Sequence, residues 1–225
     1  MKKTRPQGVF RIMSGNVNNM SMKVNRDGKI ARIEWLKEEW DIQAIGLVEV
    51  GVDWRKETTP GKLSAWFRSD RDEYKTAYTH NTCDDAIARS QPGGVAMIGC
   101  KELRQYIRQA TPDFRNLGRW HSWLVGKDPN HGTRIIFAYQ VTKNENSKGI
   151  KTILQQHRRA IQHSGLKASP RQLFQDDLIG VMTKWRKMGE RIILFIDANE
   201  HVLTGKLPKR LFEQLDMEEA TNTRW

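Results

Sequence analysis

The sequence predicts a single α/β domain, and three observations carry that reading. A strand, a helix and a second strand follow one another within the first fifty residues, the pattern of a crossover unit. Two apolar runs, Leu47-Val48-Glu49 and Phe195-Ile196-Asp197, end in carboxylates, as strands leading into a site often do. The 225 residues suffice for one sizeable core, and no linker, internal repeat or low-complexity stretch divides them. Residues 1–8 read as a short basic tail and 9–225 as the domain.

The elements follow in order. Gly8 to Ser14 reads as a buried strand that stops in the turn-rich Gly15-Asn16-Val17-Asn18-Asn19. Ile30, Ile33, Trp35, Leu36 and Trp40 recur near a 3.6 spacing, which predicts an amphipathic helix with Trp35 in the core. Asp41 to Glu49 is an apolar strand. Thr58–Gly61 is a loop, and Tyr74 to Thr79 and Gly94 to Gly99 are short strands. Lys101, Arg104 and Arg108 are spaced for one helix face. Arg119 to Val125 and Thr133 to Val141 form a strand pair around the turn residues 127–132. Gly149 to His163 and Pro170 to Met188 are helical, and Ser169 before Pro170 is a strong start signal. Arg191 to Ile196 is a continuous apolar strand, and Pro208 to Leu215 a last short helix.

Composition narrows the function classes. No run of 18 apolar residues exists, so no transmembrane helix is predicted and the membrane is not an expected partner. Only Gly8-Val9-Phe10 separates the basic start from Arg11, too short for a secretion signal, so an intracellular setting is expected, with the nucleus one candidate compartment. Two cysteines make neither a disulfide framework nor a four-cysteine zinc site. Cys83 reads as a loop thiol and Cys100 as a small core residue. The formal charge is +12 and unevenly spread: residues 101–190 alone carry 17 basic and 7 acidic side chains. Such a segment fits a surface facing a polyanion, or a solvated surface with no partner.

Three strand ends carry the candidate chemistry. Asn16 and Asn18 follow the first strand, Glu49 closes the second, and Asp197, Asn199 and Glu200 close the last. Carboxylates there are hard oxygen donors suited to Mg²⁺ or Mn²⁺. Each alone suits an ordinary strand ending or helix cap. Their recurrence at three strand ends points to a site.

Read in order, the motifs are Ser14-Gly15-Asn16-Val17-Asn18, Leu47-Val48-Glu49, Pro92-Gly93-Gly94-Val95-Ala96, Ala138-Tyr139 and Ile196-Asp197-Ala198-Asn199. Together they resemble the endonuclease/exonuclease/phosphatase superfamily, which includes abasic-site endonucleases and DNase I-like enzymes. The Asn-x-Asn element is most similar to the endonuclease domains of non-LTR retrotransposons. The resemblance spans Phe10 to about Asn199. It implies a four-layer α/β sandwich, two packed mixed sheets with outer helices, and a Mg²⁺- or Mn²⁺-dependent phosphodiesterase acting on DNA. Carried over by position, Glu49 would be a metal ligand with Asn18 beside it. Asn16 would bond the network at the scissile phosphate and Tyr139 would contact that phosphate. Asp197 would orient or deprotonate the attacking water, and Asn199 would hold a phosphate oxygen.

The sequence departs from the family in two places. Gln140 and Val141 follow Tyr139 where a Pro and an Asn often stand, and the family's final Asp–His pair has no counterpart before Trp225. Two accounts of that ending stay open: a C-terminally truncated fragment of a longer reading frame, which would show reduced or no activity alone, or a naturally shortened descendant. Either leaves the second sheet with an unpaired edge and uncovered apolar area. Three functions compete. The first is a retroelement-type DNA endonuclease, with or without a following reverse transcriptase. The second is a phosphatase of small phosphate esters or phosphoinositides on the same fold, and the third a non-catalytic nucleic-acid-binding remnant. Lys101, Arg104 and Arg108 are the candidate backbone contacts for DNA, and Arg158-Arg159 a solvated helix face. Trp54 and Trp66 are candidates for stacking on bases or for packing.

Overall fold

The computed structural model describes residues 5–21, 23–57, 63–67, 74–83, 91–128, 131–143, 149 and 152–220. The expected loop at 58–61, Arg68 beside Trp66, the centre of the 127–132 turn, and the segment 221–225 lie outside the described residues.

The strands are β1 (Ile12–Asn16), β2 (Ala44–Val48), β3 (Tyr74–Thr79), β4 (Val95–Cys100), β5 (Ile107–Pro112), β6 (Trp120–Val125), β7 (Thr133–Tyr139) and β8 (Arg191–Asp197). They form two mixed sheets of four, ordered β1-β2-β4-β3 and β5-β6-β7-β8. β1 runs parallel to β2, and β7 parallel to β8; the other pairs are antiparallel. The helices are α1 (Lys23–Glu39), α2 (Leu63–Trp66), α3 (Leu103–Tyr106), α4 (Ile153–His163), α5 (Pro170–Lys187) and α6 (Lys206–Leu215). The expected crossover is β1-α1-β2. Ser169 caps α5, its Oγ accepting from the Gln172 N–H at 3.1 Å.

Strand alternation builds the layers. In β2, Ala44 and Val48 face the second sheet, where Val95 and Met97 of β4 meet Trp123, Ile135, Phe137 and Tyr139. Ile45 and Leu47 face the other way, onto Ile30 and Ile33 of α1 and onto Trp54, Leu63, Trp66 and Phe67. In β7, Ile136 and Ala138 face outward onto Phe174, Leu178 and Met182 of α5 and Leu207, Leu211 and Leu215 of α6. Helix, sheet, sheet, helix is the four-layer sandwich, and strands buried on both faces explain the unbroken apolar runs.

Several expectations are corrected. β1 begins at Ile12 rather than Gly8 and runs on to Asn16, because pairing with β2 extends only from Ile12↔Ala44 to Asn16↔Val48. Trp35 is not core: it is 50% exposed, with the Arg32 guanidinium 4.2 Å from its ring centroid. Ile30, Ile33 and Lys37 hold the inward face of α1, and a residue five positions past Ile30 falls well off that face at about 100° per residue. Trp54 and Trp66 are buried and stacked on each other at 5.0 Å, so they pack. Lys101, Arg104 and Arg108 do not share a helix face. Lys101 precedes the one-turn α3 in a left-handed conformation, Arg104 lies within it, and Arg108 is in β5. Cys83 is exposed and Cys100 buried, as expected. Arg5, within the expected tail, is tied to Asp41 (3.1 Å) and Glu102 (2.6 Å). Among the described residues β8 pairs only with β7, and Ile193 on this edge is 42% exposed.

His121 in β6 gives the fold a pH dependence. It is 4% exposed, and burial pushes its pKa down to about 4, against a weak pull from its contact with the Ser122 carbonyl. The folded state therefore binds a proton later than the unfolded chain does. Stability should be fully present above pH ~6.5 and fall as the pH drops toward 4, by roughly 1.4 kcal/mol per pH unit over that window. Urea unfolding at pH 7.5 and 5.0 checks this: His121→Gln should lose roughly 2 kcal/mol of the difference seen in the wild type. An unchanged pH dependence in the variant would remove His121 as its source.

Candidate active site

β1, β2, β7 and β8 bring their carboxyl ends to one end of the two sheets, and the candidate residues stand there. The Asn16 amide nitrogen donates to Glu49 Oε2 at 2.7 Å and to Asp197 Oδ2 at 2.8 Å. Residues 33 and 181 positions away in the chain thus share one donor across the two sheets. The amide's orientation is fixed as well, because Asn16 Oδ1 accepts the Asn18 N–H at 2.9 Å.

The turn after β1 is held tightly. Asn18 and Asn19 have φ of 43° and 71°, left-handed values that Asn tolerates better than most residues. The Val17 N–H continues the ladder to the Val48 carbonyl at 3.0 Å, and the Asn19 N–H bonds the Glu49 carbonyl at 2.7 Å. Glu49 itself has φ of 54°, which breaks the strand at the residue whose carboxylate turns toward Asn16.

Tyr139 ends β7 and is 4% exposed. Burial first, then a hydrogen bond to Glu49 and the negative charges of Glu49 and Asp197, raise its pKa well above the ordinary phenol value. A hydrogen bond from Asn199 acts in the opposite direction. Tyr139 therefore stays protonated and serves as a donor, not a base. Asn199 has φ of 47° and donates its amide to the Gln140 carbonyl at 2.8 Å.

Sequence reasoning brought Asn16, Asn18, Glu49, Tyr139, Asp197 and Asn199 to one end. It missed the residues that fix them. Gln140, fully buried, donates to the Ala198 carbonyl (2.6 Å) and accepts from Gln175 (2.9 Å), so it anchors the turn that carries Asn199. Arg171 of α5 pairs with Glu200 and reaches the Val141 carbonyl. Glu200, one of the strand-end acids, is consumed by structure: its Oε2 accepts the Leu207 N–H at 2.8 Å. Burial opposes its ionisation, but that N–H and Arg171 hold its pKa below the usual range. Only the adjacency of Gln140 to Tyr139 hinted at these roles. Lys101, Arg104 and Arg108 lie at the opposite end of the sheets, past the close of β4 and at the start of β5. Lys101 pairs with Asp41 at 2.6 Å, and Arg108 donates to the His131 carbonyl at 3.1 Å.

The donor chemistry suits a hard divalent cation. Glu49 and Asp197 are hard oxygen donors joined by the Asn16 amide. Asn18 stands in the same turn as Asn16, its N–H on Asn16 Oδ1, and the Asn199 N–H bonds Asp197 Oδ1 at 3.3 Å, all three asparagines being exposed. Among the described residues no group of three or more His, Cys, Asp or Glu forms a cage. One or two carboxylates with water and a substrate phosphate completing the shell is the usual way Mg²⁺ is bound.

No protein-family model and no curated protein matches the sequence. Solved structures do match in fold. The catalytic domain of human Nocturnin, with bound sulfate anion, aligns with a TM-score of 0.54 at 14% identity, over 91% of this chain and 69% of that one. An AP endonuclease from Archaeoglobus fulgidus aligns at 0.48 and 17% identity, over 91% and 63%. An endonuclease/exonuclease/phosphatase family protein from Leptotrichia buccalis aligns at 0.47 and 14% identity, over 92% and 74%. The chain thus spans roughly two thirds of the length of these proteins, and it has the DNase I-like two-sheet sandwich fold of the Nocturnin domain.

Proposed function

We propose that the chain is a divalent-metal-dependent phosphodiesterase domain that hydrolyses DNA, of the retroelement endonuclease kind. The observation that carries this reading is the single Asn16 amide bonded to both Glu49 and Asp197 at the carboxyl ends of both sheets. Glu49, with Asn18 beside it, would hold Mg²⁺ or Mn²⁺. When bound, the ion neutralises phosphate charge and stabilises the leaving oxygen.

The chain's own residues supply the rest. Asp197 accepts the proton of an in-line water. Asn199, its amide oriented by the Gln140 carbonyl, and the protonated Tyr139 are neutral donors that hold phosphate oxygens without adding charge. Asn16 keeps the two carboxylates close yet separately oriented, so that one is left for the ion and one for the water. The net charge of +12 favours a polyanionic substrate over a small ester.

Plasmid nicking tests the proposal. Nicking should appear with Mg²⁺ or Mn²⁺ and vanish in EDTA. DNA affinity should fall with salt at a slope of about −0.9 in log K per neutralised phosphate. Nicking that persists in EDTA would overturn the metal assignment. Affinity unchanged between low and moderate salt, with hydrolysis confined to small phosphate esters, would overturn DNA as the substrate.

A further inference from the structure

Lys29, in the second turn of α1, donates to three successive backbone carbonyls: Val17 at 2.6 Å, Asn18 at 3.0 Å and Asn19 at 2.8 Å. An ammonium has three N–H groups, and this one spends all of them on one turn. Three consecutive carbonyls converge on a point only where the chain curls tightly, here with positive φ at both Asn18 and Asn19. Their oxygens carry like partial charges and repel one another unless a cation stands between them. The same turn places the Asn18 N–H on Asn16 Oδ1 and the Asn19 N–H on the Glu49 carbonyl.

We infer that Lys29 is a positioning residue: a tethered cation in a three-carbonyl cage that sets the 17–19 turn. Through that turn it directs the Asn16 amide at Glu49 and Asp197. Its effect on turnover rests on the phosphodiesterase reading; the cage does not. A cage of converging carbonyls is also what potassium channels present to K⁺ in place of water. Removing the lysine side chain should therefore leave a site for a free monovalent cation. Arginine should not substitute, because its planar fork spreads its donors instead of converging three from one nitrogen.

The test uses the whole chain as Lys29→Ala and Lys29→Arg. Each protein is melted, and assayed for nicking, in chloride salts of tetramethylammonium, potassium and methylammonium at one ionic strength. The wild type should melt at the same temperature in all three. Lys29→Ala should melt higher in potassium or methylammonium, with the saturating concentration dependence of a bound ligand. Its kcat should be about 10–100-fold down in tetramethylammonium, with KM for DNA unchanged, and should recover along with the melting temperature. Lys29→Arg should stay folded and lose kcat to a similar degree.

Melting and cleavage in Lys29→Ala that ignore the cation would overturn the inference, as would wild-type kcat in Lys29→Arg. If Lys29→Ala does not fold in any salt, the kcat and KM of Lys29→Arg decide. If the wild type cleaves no phosphodiester at all, the phosphodiesterase reading fails, and the cation-dependent melting of Lys29→Ala still decides the role of Lys29.

Discussion

Replacing Asp197 by Asn should reduce DNA nicking by about 10²–10⁴-fold, the range for loss of a general acid or base, while DNA affinity and the melting temperature stay close to wild type. The carboxamide keeps the shape of the carboxylate and one oxygen, so the contact from the Asn16 amide, 2.8 Å in the wild type, can persist. What it loses is the ability to accept a proton from water. Folding is spared because Asp197 is only partly buried, and its strand is anchored by its backbone, whose carbonyl accepts the Gln140 N–H at 2.9 Å. Tyr139→Phe gives the contrast. It removes a donor to Glu49 but no proton acceptor, so it should lower kcat by less than Asp197→Asn does. Single-turnover nicking in saturating Mg²⁺ measures both. Asp197→Asn cleaving as fast as wild type would remove the carboxylate from the chemistry and leave the shared amide as a structural link.

The sequence carried the site better than it carried its support. Asn16, Glu49 and Asp197 were legible because each stands at a strand end, where sites of α/β folds gather. Asn16 and Glu49 close neighbouring parallel strands of one sheet, and Asp197 closes a strand of the other. The core alternation of β2 and β7 was legible as runs of Ile, Leu, Val and Phe. Lys29, Gln140 and Arg171 were not, because each acts on backbone carbonyls, and a carbonyl leaves no mark on residue type. Trp35 misled because a large apolar residue near helical spacing reads as core, whereas its ring lies outside under Arg32. The 101–108 segment misled for another reason. β5 is an edge strand whose middle residues, Arg108, Gln109 and Ala110, are exposed, so it lacks the apolar alternation that marks a strand. Pairing with β6 decides its conformation, and tertiary pairing of that kind overrides local propensity.

Gly46 lets the two sheets approach closely, and Gly46→Ala should destabilise the fold by about 3 kcal/mol, the upper end for an overpacked core position. A Cβ built on Gly46 would fall 1.8 Å from one Phe137 ring carbon and 2.1 Å from two others. Phe137 has nowhere to turn: it is fully buried, and its ring is stacked on Phe195 at 5.1 Å and 14°. Relief would require the sheets to separate, which would also strip Trp123 and Tyr139 of their packing. Alanine does restrict the unfolded chain, but that gain is only about 0.4–1 kcal/mol and does not offset the clash. Urea unfolding measures the loss. Phe137→Leu should itself be destabilising, yet the double variant should be more stable than the two single losses would sum to, because the smaller side chain frees the volume that the methyl needs. The site reports the same strain, since Gly46 lies three residues before Glu49 and Phe137 two before Tyr139. Gly46→Ala should therefore lower nicking even at temperatures where the variant remains folded. Wild-type stability in Gly46→Ala would mean that Phe137 can move aside, and that the close approach of the two sheets at this point is not what holds Glu49 and Tyr139 together.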